Sequence, residues 1–171
     1  PSVEGADLMV GDLMTDITFQ YNASAASGSG SGSNSGTYNG NGTAWMVKDI
    51  YSSSSSSSPG HLTAVGNTLY FTANDGTNGI ELWKSDGTSS GTLMVKNIQS
   101  GGSSSSSSPN HLTAVGNTLY FTANDGTNGI ELWKSDGTSS GTMMVKDIYS
   151  SSSSSSPGHL TAVGNTLYFT A

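Results

Sequence analysis

Three histidines, His61, His111 and His159, are all that the chain contains, and each opens the same stretch of a repeating pattern. Imidazoles that converge on one point can hold zinc, which takes four ligands at close range. Repetition alone also produces three such residues, each then making a structural hydrogen bond to a neighbouring turn. A second group is Asn74, Asp75, Asn78 and Glu81, repeated as Asn124, Asp125, Asn128 and Glu131. Their oxygens surround a Gly-rich turn and suit a hard cation, so they are the calcium candidates. The spacing is too short for the EF-hand loop. The competing reading is a pair of hairpin turns, for which Asn-Asp-Gly and Asn-Gly are the usual residues. Calcium apart, no cofactor is expected.

Trp83 and Trp133 stand two residues after Glu81 and Glu131, on the same strand face. An indole beside acids and amides can stack a sugar ring, and packing between sheets is the alternative use of so large an apolar surface. Asp86-Gly87-Thr88 and Asp136-Gly137-Thr138 have an acid beside a hydroxyl but no base at a fixed offset. Nucleophilic catalysis needs that base, so these read as turns and no catalytic residue is assigned. Asn22-Ala23-Ser24 and Asn41-Gly42-Thr43 match the N-glycosylation acceptor, making Asn22 and Asn41 candidates. The Ser runs, each with a Pro at its end, resemble O-glycosylated segments, with Ser52, Ser103 and Ser151 as representative candidates.

Composition narrows the classes. The 171 residues include 34 Ser, 19 Thr and 23 Gly, so three small residue types fill 76 positions. Five Lys, no Arg and a net charge of −7 leave no basic surface for nucleic acid. The absence of Cys excludes a disulfide framework and thiolate chemistry. No apolar run approaches the roughly 18 residues of a membrane span, and no signal peptide is read at Pro1.

The positions of these residues are set by a repeat. Residues 61–92 recur unchanged at 111–142, and a third copy starts at His159 and runs to Ala171. The spacings are therefore 50 and 48 residues, differing in the Ser-rich connector. Within a unit, Leu69, Phe71 and Ala73 alternate with Tyr70 and Thr72, the period of a strand. Four strands are predicted per unit: HLTAV, TLYFTA, IELWKS and TLMVKNI, separated by Gly-, Asn- and Asp-rich turns. The fold class is thus all-β, with four-stranded antiparallel units. Four strands in this length match one β-propeller blade, which runs about 40 to 50 residues. A β-solenoid is the alternative architecture.

The pattern GTMMVKDIY…HLTAVGNTLYFTANDGTNGIELWKSDGT resembles the ELWxSDGTxxGTxxVKDI repeat family of large secreted and surface proteins of bacteria and archaea. The resemblance covers residues 43–171. It implies a propeller-like extracellular array, often of structural or adhesive character, with no established catalytic activity and no active-site residues to carry over.

Residues 1–42 fall outside the repeat. Asp7 to Tyr21 has apolar residues enough for one or two strands, and a Gly/Ser-rich linker follows. The Ser runs carry no apolar area to offset their ordering entropy, so any order in them requires an outside partner: a neighbouring surface or attached glycan. The segment TAWMVKDIY (43–51) matches the end of a unit, and the third copy carries only two strands. Two whole units plus a split one are fewer than the four to eight blades of a closed propeller. The expected function is a non-enzymatic structural or adhesive subunit, extracellular or at the cell surface, that associates head-to-tail with identical chains. A carbohydrate-binding module using Trp83 and Trp133 is the alternative.

Overall fold

The computed structural model describes residues 19–21, 35–37, 43–53 and 55–171. Every regular element among them is a strand. Three short strands, β1 (Phe19–Tyr21), β2 (Ser35–Thr37) and β3 (Thr43–Met46), form a sheet in the order β1-β3-β2. Unit 1 follows as β4 (Gly60–Val65), β5 (Thr68–Asn74), β6 (Ile80–Ser85) and β7 (Leu93–Lys96). Unit 2 repeats it as β8 (Asn110–Val115), β9 (Thr118–Asn124), β10 (Ile130–Ser135) and β11 (Met143–Lys146). The third unit has β12 (Gly158–Val163) and β13 (Thr166–Thr170).

Each whole unit is an antiparallel meander in which sequence order is spatial order. The four strands predicted per unit are therefore present, within a residue or two at their ends. The Gly/Ser-rich stretch expected to be a linker contributes β2, a departure from the reading of 22–42 as linker alone. The predicted strand residues Asp7 to Thr18 lie outside the described residues; β1 is the described end of that segment.

Local chemistry sets the corners. Val65 and Thr68 pair across Gly66-Asn67, a two-residue turn with Gly66 at φ 57°. Hairpin turns that follow the strand twist need positive φ at the first central residue, and Gly reaches it without a Cβ clash. The longer turn after β6 is tied by its own hydroxyls. Thr88 Oγ1 donates to Asp86 at 2.7 Å and accepts from the Gly91 N–H at 2.9 Å, while Thr92 Oγ1 donates to the Thr88 carbonyl at 2.7 Å. A Cβ at Gly91 would run into the Asp86 carboxylate. Unit 2 repeats each of these bonds.

Alternation gives each whole unit two apolar faces, and in unit 1 both are buried. One face of unit 1 places Phe71, Ala73 and Trp83, with Leu69 and Met94, against Ile50 of the preceding segment. The other face, Val65, Tyr70, Leu82, Val95 and Ile98, joins Leu119, Phe121, Ala123 and Trp133 of unit 2 in one core. The sheets thus stack face to face, each a separate hydrogen-bonded ladder. Beside this packing, Lys48 Nζ donates to the Thr92 carbonyl and Lys96 Nζ to the Thr142 carbonyl, both at 2.8 Å. The same pair of positions is bridged at both boundaries.

Replacing Trp83 by Ala should therefore destabilise the chain by about 3–5 kcal/mol, since a 6% exposed indole is lost from between unit 1 and the Ile50 segment. Urea unfolding followed by circular dichroism measures this. A loss below about 1 kcal/mol would contradict the packing role.

Candidate functional site

The chemistry-bearing side chains gather at the boundary between units, where the Ser-rich connector crosses from one sheet to the next. Glu81 lies in β6 with no exposed surface. Its Oε1 accepts the Ser107 N–H at 3.0 Å, and its Oε2 accepts the Ile98 N–H at 3.0 Å and the Ser107 hydroxyl at 2.5 Å. Ser107 is itself 1% exposed, and its carbonyl accepts the Asn124 N–H at 3.0 Å. Flanking bonds complete the seam: Ser106 Oγ accepts the Ile80 N–H at 2.9 Å, and the Ser108 N–H reaches the Ile80 carbonyl at 3.2 Å. Gly79 lies so close to the connector that a Cβ there would strike the Ser105 carbonyl.

The next boundary repeats the arrangement. Glu131 accepts the Ser155 N–H at 2.7 Å, the Ser155 hydroxyl at 2.5 Å and the Ile148 N–H at 3.2 Å. A buried carboxylate is costly unless several donors satisfy its lone pairs, and these connectors supply them. Burial pushes the Glu81 carboxyl above its usual range, against the opposing pull of the Ser107 and Ile98 donors.

The calcium candidates divide. The structure brings Asn74, Asp75 and Asn78 together in one turn, and their oxygens are taken by that turn and its neighbour. Asn74 Oδ1 accepts the Gly76 N–H at 2.7 Å. Asp75 Oδ1 accepts the Thr77 and Asn78 N–H groups at 2.9 and 2.8 Å, and its Oδ2 takes the Asn78 amide at 2.7 Å. The Asn78 carbonyl oxygen accepts from Asn97 at 2.8 Å. Partial burial raises the Asp75 carboxyl, but the donors of Asn78 and Thr77 outweigh it and hold the group below its usual value. Glu81, the fourth candidate, is engaged with the connector instead. Among the described residues, no three His, Asp or Glu side chains are grouped to hold a metal.

The histidines lie at corresponding places one unit apart, each at φ 53°, in a bulge where the first strand slips register against the second. His111 and His159 direct Nδ1 to Thr122 and Thr170, at 3.4 and 3.2 Å. Each partner is thus a residue of the unit's own second strand, where a neighbouring turn was expected. Both tryptophans are 6% exposed and face sheet cores, and each Nε1 is buried without a partner. Ser52, Ser103 and Ser151 are exposed, whereas Ser57 and Ser107 of the same runs are buried. Asn22 and Asn41 lie outside the described residues.

Sequence reasoning missed the clamp. Its signal was an acid at the second residue of a central strand, in an alternation otherwise filled by apolar side chains. At the outer side of the same boundary, Lys84 Nζ donates to the Gly137 carbonyl at 2.8 Å. Burial, and then the charge of Asp136, raise the Tyr70 phenol above its usual value. No protein-family model, curated protein or solved structure matches the chain.

A pH series tests the clamp. A carboxyl raised in the fold binds its proton more tightly there than in the unfolded chain. Its contribution is therefore full below the usual Glu value of 4.5 and is lost as pH rises through the raised value. Glu81→Gln removes that dependence and mismatches one amide donor against the connector's N–H groups. The variant should be less stable than the parent at every pH, with the difference shrinking as pH rises from about 4. Parallel urea-unfolding profiles for the two proteins would refute the assignment.

Proposed function

We propose that the chain is a non-enzymatic structural subunit, of adhesive or scaffold type, of an extracellular or cell-surface assembly. The carrying observation is that the boundaries repeat their contacts: one lysine bond recurs before and after unit 1, and one carboxylate clamp recurs after unit 1 and after unit 2. Such a boundary is a stacking device, because any unit offers the next what it received from the last. The acidic side chains at these boundaries accept hydrogen bonds from turns and connectors, which suits a scaffold. Four-stranded meanders whose first strands adjoin one another fit propeller-type blades better than solenoid coils, whose strands would share ladders between repeats. The resemblance to the ELWxSDGTxxGTxxVKDI repeats points the same way.

In this reading the exposed Ser52, Ser103 and Ser151 carry glycan, outside the buried Ser57 and Ser107 that hold the fold. The burial of both indoles weighs against a sugar-stacking platform at Trp83 and Trp133. The chain by itself should sediment as concentration-dependent oligomers, and a monomer at all concentrations would refute the structural reading. Peptides spanning the Ser runs, released from material of the natural source, should exceed the mass of their bare sequence. A mass equal to it would remove the glycan from the account.

A further inference from the structure

A cleft of about 260 Å³ opens between units 1 and 2, where the end of each connector turns into a first strand. Unit 1 lines it with Ser58, Gly60, His61 and Thr72, and the next connector lines it with Ser108 and Asn110. Ile80 and Pro109 add apolar surface. None of these side chains carries a fixed charge, while the hydroxyl, imidazole and carboxamide groups can each both donate and accept a hydrogen bond.

Both walls are fixed from outside the cleft. Glu81 holds the N–H and hydroxyl of Ser107, and the adjoining Ser108 N–H donates to the Ile80 carbonyl at 3.2 Å. Thr63 Oγ1 of β4 donates to the Leu112 carbonyl of β8 at 3.2 Å, which ties the two first strands together. Strained backbone gathers on the lining residues: Ser58 and Ser108 lie at φ 46° and His61 at φ 53°. Residues other than Gly rarely adopt this region, and a fold that imposes it holds the site in one shape before any ligand arrives. The polar groups are nonetheless incompletely used. In unit 2, His111 directs Nδ1 to the Thr122 hydroxyl at 3.4 Å; the counterparts in unit 1, His61 and Thr72, make no such bond with each other. Asn110 stands where the units before and after have Gly60 and Gly158. Its Oδ1 accepts the His111 N–H at 2.7 Å, which orients the amide and leaves the Nδ2 donors for a ligand.

We propose that this cleft binds one neutral sugar ring, the end residue of a glycan. A pyranose presents adjacent hydroxyls that each donate and accept, and the lining of Ser58, His61, Thr72, Ser108 and Asn110 answers in kind. Its C–H face is apolar and suits Ile80 and Pro109. An anion would meet neither Lys nor Arg in the lining, on a chain whose net charge is −7. A hard cation would meet no carboxylate there. The volume lies below the roughly 300–1,000 Å³ of sites for drug-sized ligands, so a single ring fits and a long chain does not. The site is distinct from Trp83 and Trp133, whose indoles are buried. Each wall comes from a different unit, so the site exists only where two units meet. This inference rests on the adhesive side of the proposed reading and names the chemistry that would be held.

The full chain is titrated with the methyl glycosides of glucose, galactose, mannose and N-acetylglucosamine, and amide chemical shifts report binding. At least one of the four should bind with a Kd of about 1 mM, as expected for so small a ligand, and shift the amides of the lining residues. Asn110→Gly installs the residue that both flanking units carry at this place, so the fold is kept, and binding should weaken about tenfold. Thr72→Val removes a hydroxyl from a 4% exposed side chain of similar shape and should weaken binding by a similar factor. If that variant unfolds, Asn110→Gly decides alone. Binding undiminished in Asn110→Gly, or shifts away from the cleft, would overturn the placement. Tighter binding of sulfate or of methyl glucuronide than of any neutral glycoside would overturn the ligand class. Oligomers that show no shift with any of the four at about 50 mM, far above the expected Kd, would overturn this site and leave the structural reading intact. Monomers that bind a glycoside in the cleft would uphold the site while overturning the assembly.

Discussion

A carboxylate buried against a run of serines governs how this chain is organised. Glu81 and Glu131 each place a charge where water does not reach, and three donors from the following segment answer it. A hydrogen bond to a charged group contributes about 1.5–3 kcal/mol net. Backbone ordering costs about 1–2 kcal/mol per residue, so one clamp offsets the fixing of only a few connector residues. It is placed where those few matter, at Ser107 and Ser155, each four residues before the His of the next unit. The first strand of the next unit leaves from that anchor, so the clamp sets where each sheet begins.

The faces of the sheets then do the rest. Each unit is a thin layer with one Phe/Trp side and one Tyr/Leu/Ile side, and neither is stable when bare. Stacking unlike sides buries Phe71, Leu82, Leu119 and Phe121 completely. The lysine bonds from Lys48 and Lys96 lie beside this core and link each fourth strand to the next unit's turn. Charge, hydroxyl and apolar area thus act on the same seam and specify the same neighbour.

Most of the strand pattern was legible in the residues, because alternation such as Leu69-Tyr70-Phe71-Thr72-Ala73 and turns such as Gly66-Asn67 are local signals. The order of the Ser runs was not. Its cause lies about 26 residues away in sequence, in a single Glu whose setting looks equally suited to a cation loop. The oxygens of Asn74, Asp75 and Asn78 share one turn, but backbone N–H groups nearby take them up, and spacing alone does not reveal that. The histidine position was legible and its conformation was not. Positive φ at His61, His111 and His159 is imposed by the bulge, a feature of pairing rather than of composition.

Units 1 and 2 are identical over 32 residues, and this has a kinetic cost. The Ile50 segment meets the same Phe, Ala and Trp surface whether it collides with unit 1 or with unit 2. During folding, the two encounters differ mainly in the loop they close, and doubling a loop costs only about 0.6 kcal/mol. Early docking is therefore nearly indifferent to which copy is found, and only the final burial of unit 1 on both sides rejects the skipped arrangement. Refolding at once from denaturant must pass through such mispaired species, whose release is slow because they are internally well packed. Synthesis from the N-terminus avoids the choice, since unit 1 emerges and docks before a competing copy of its sequence exists.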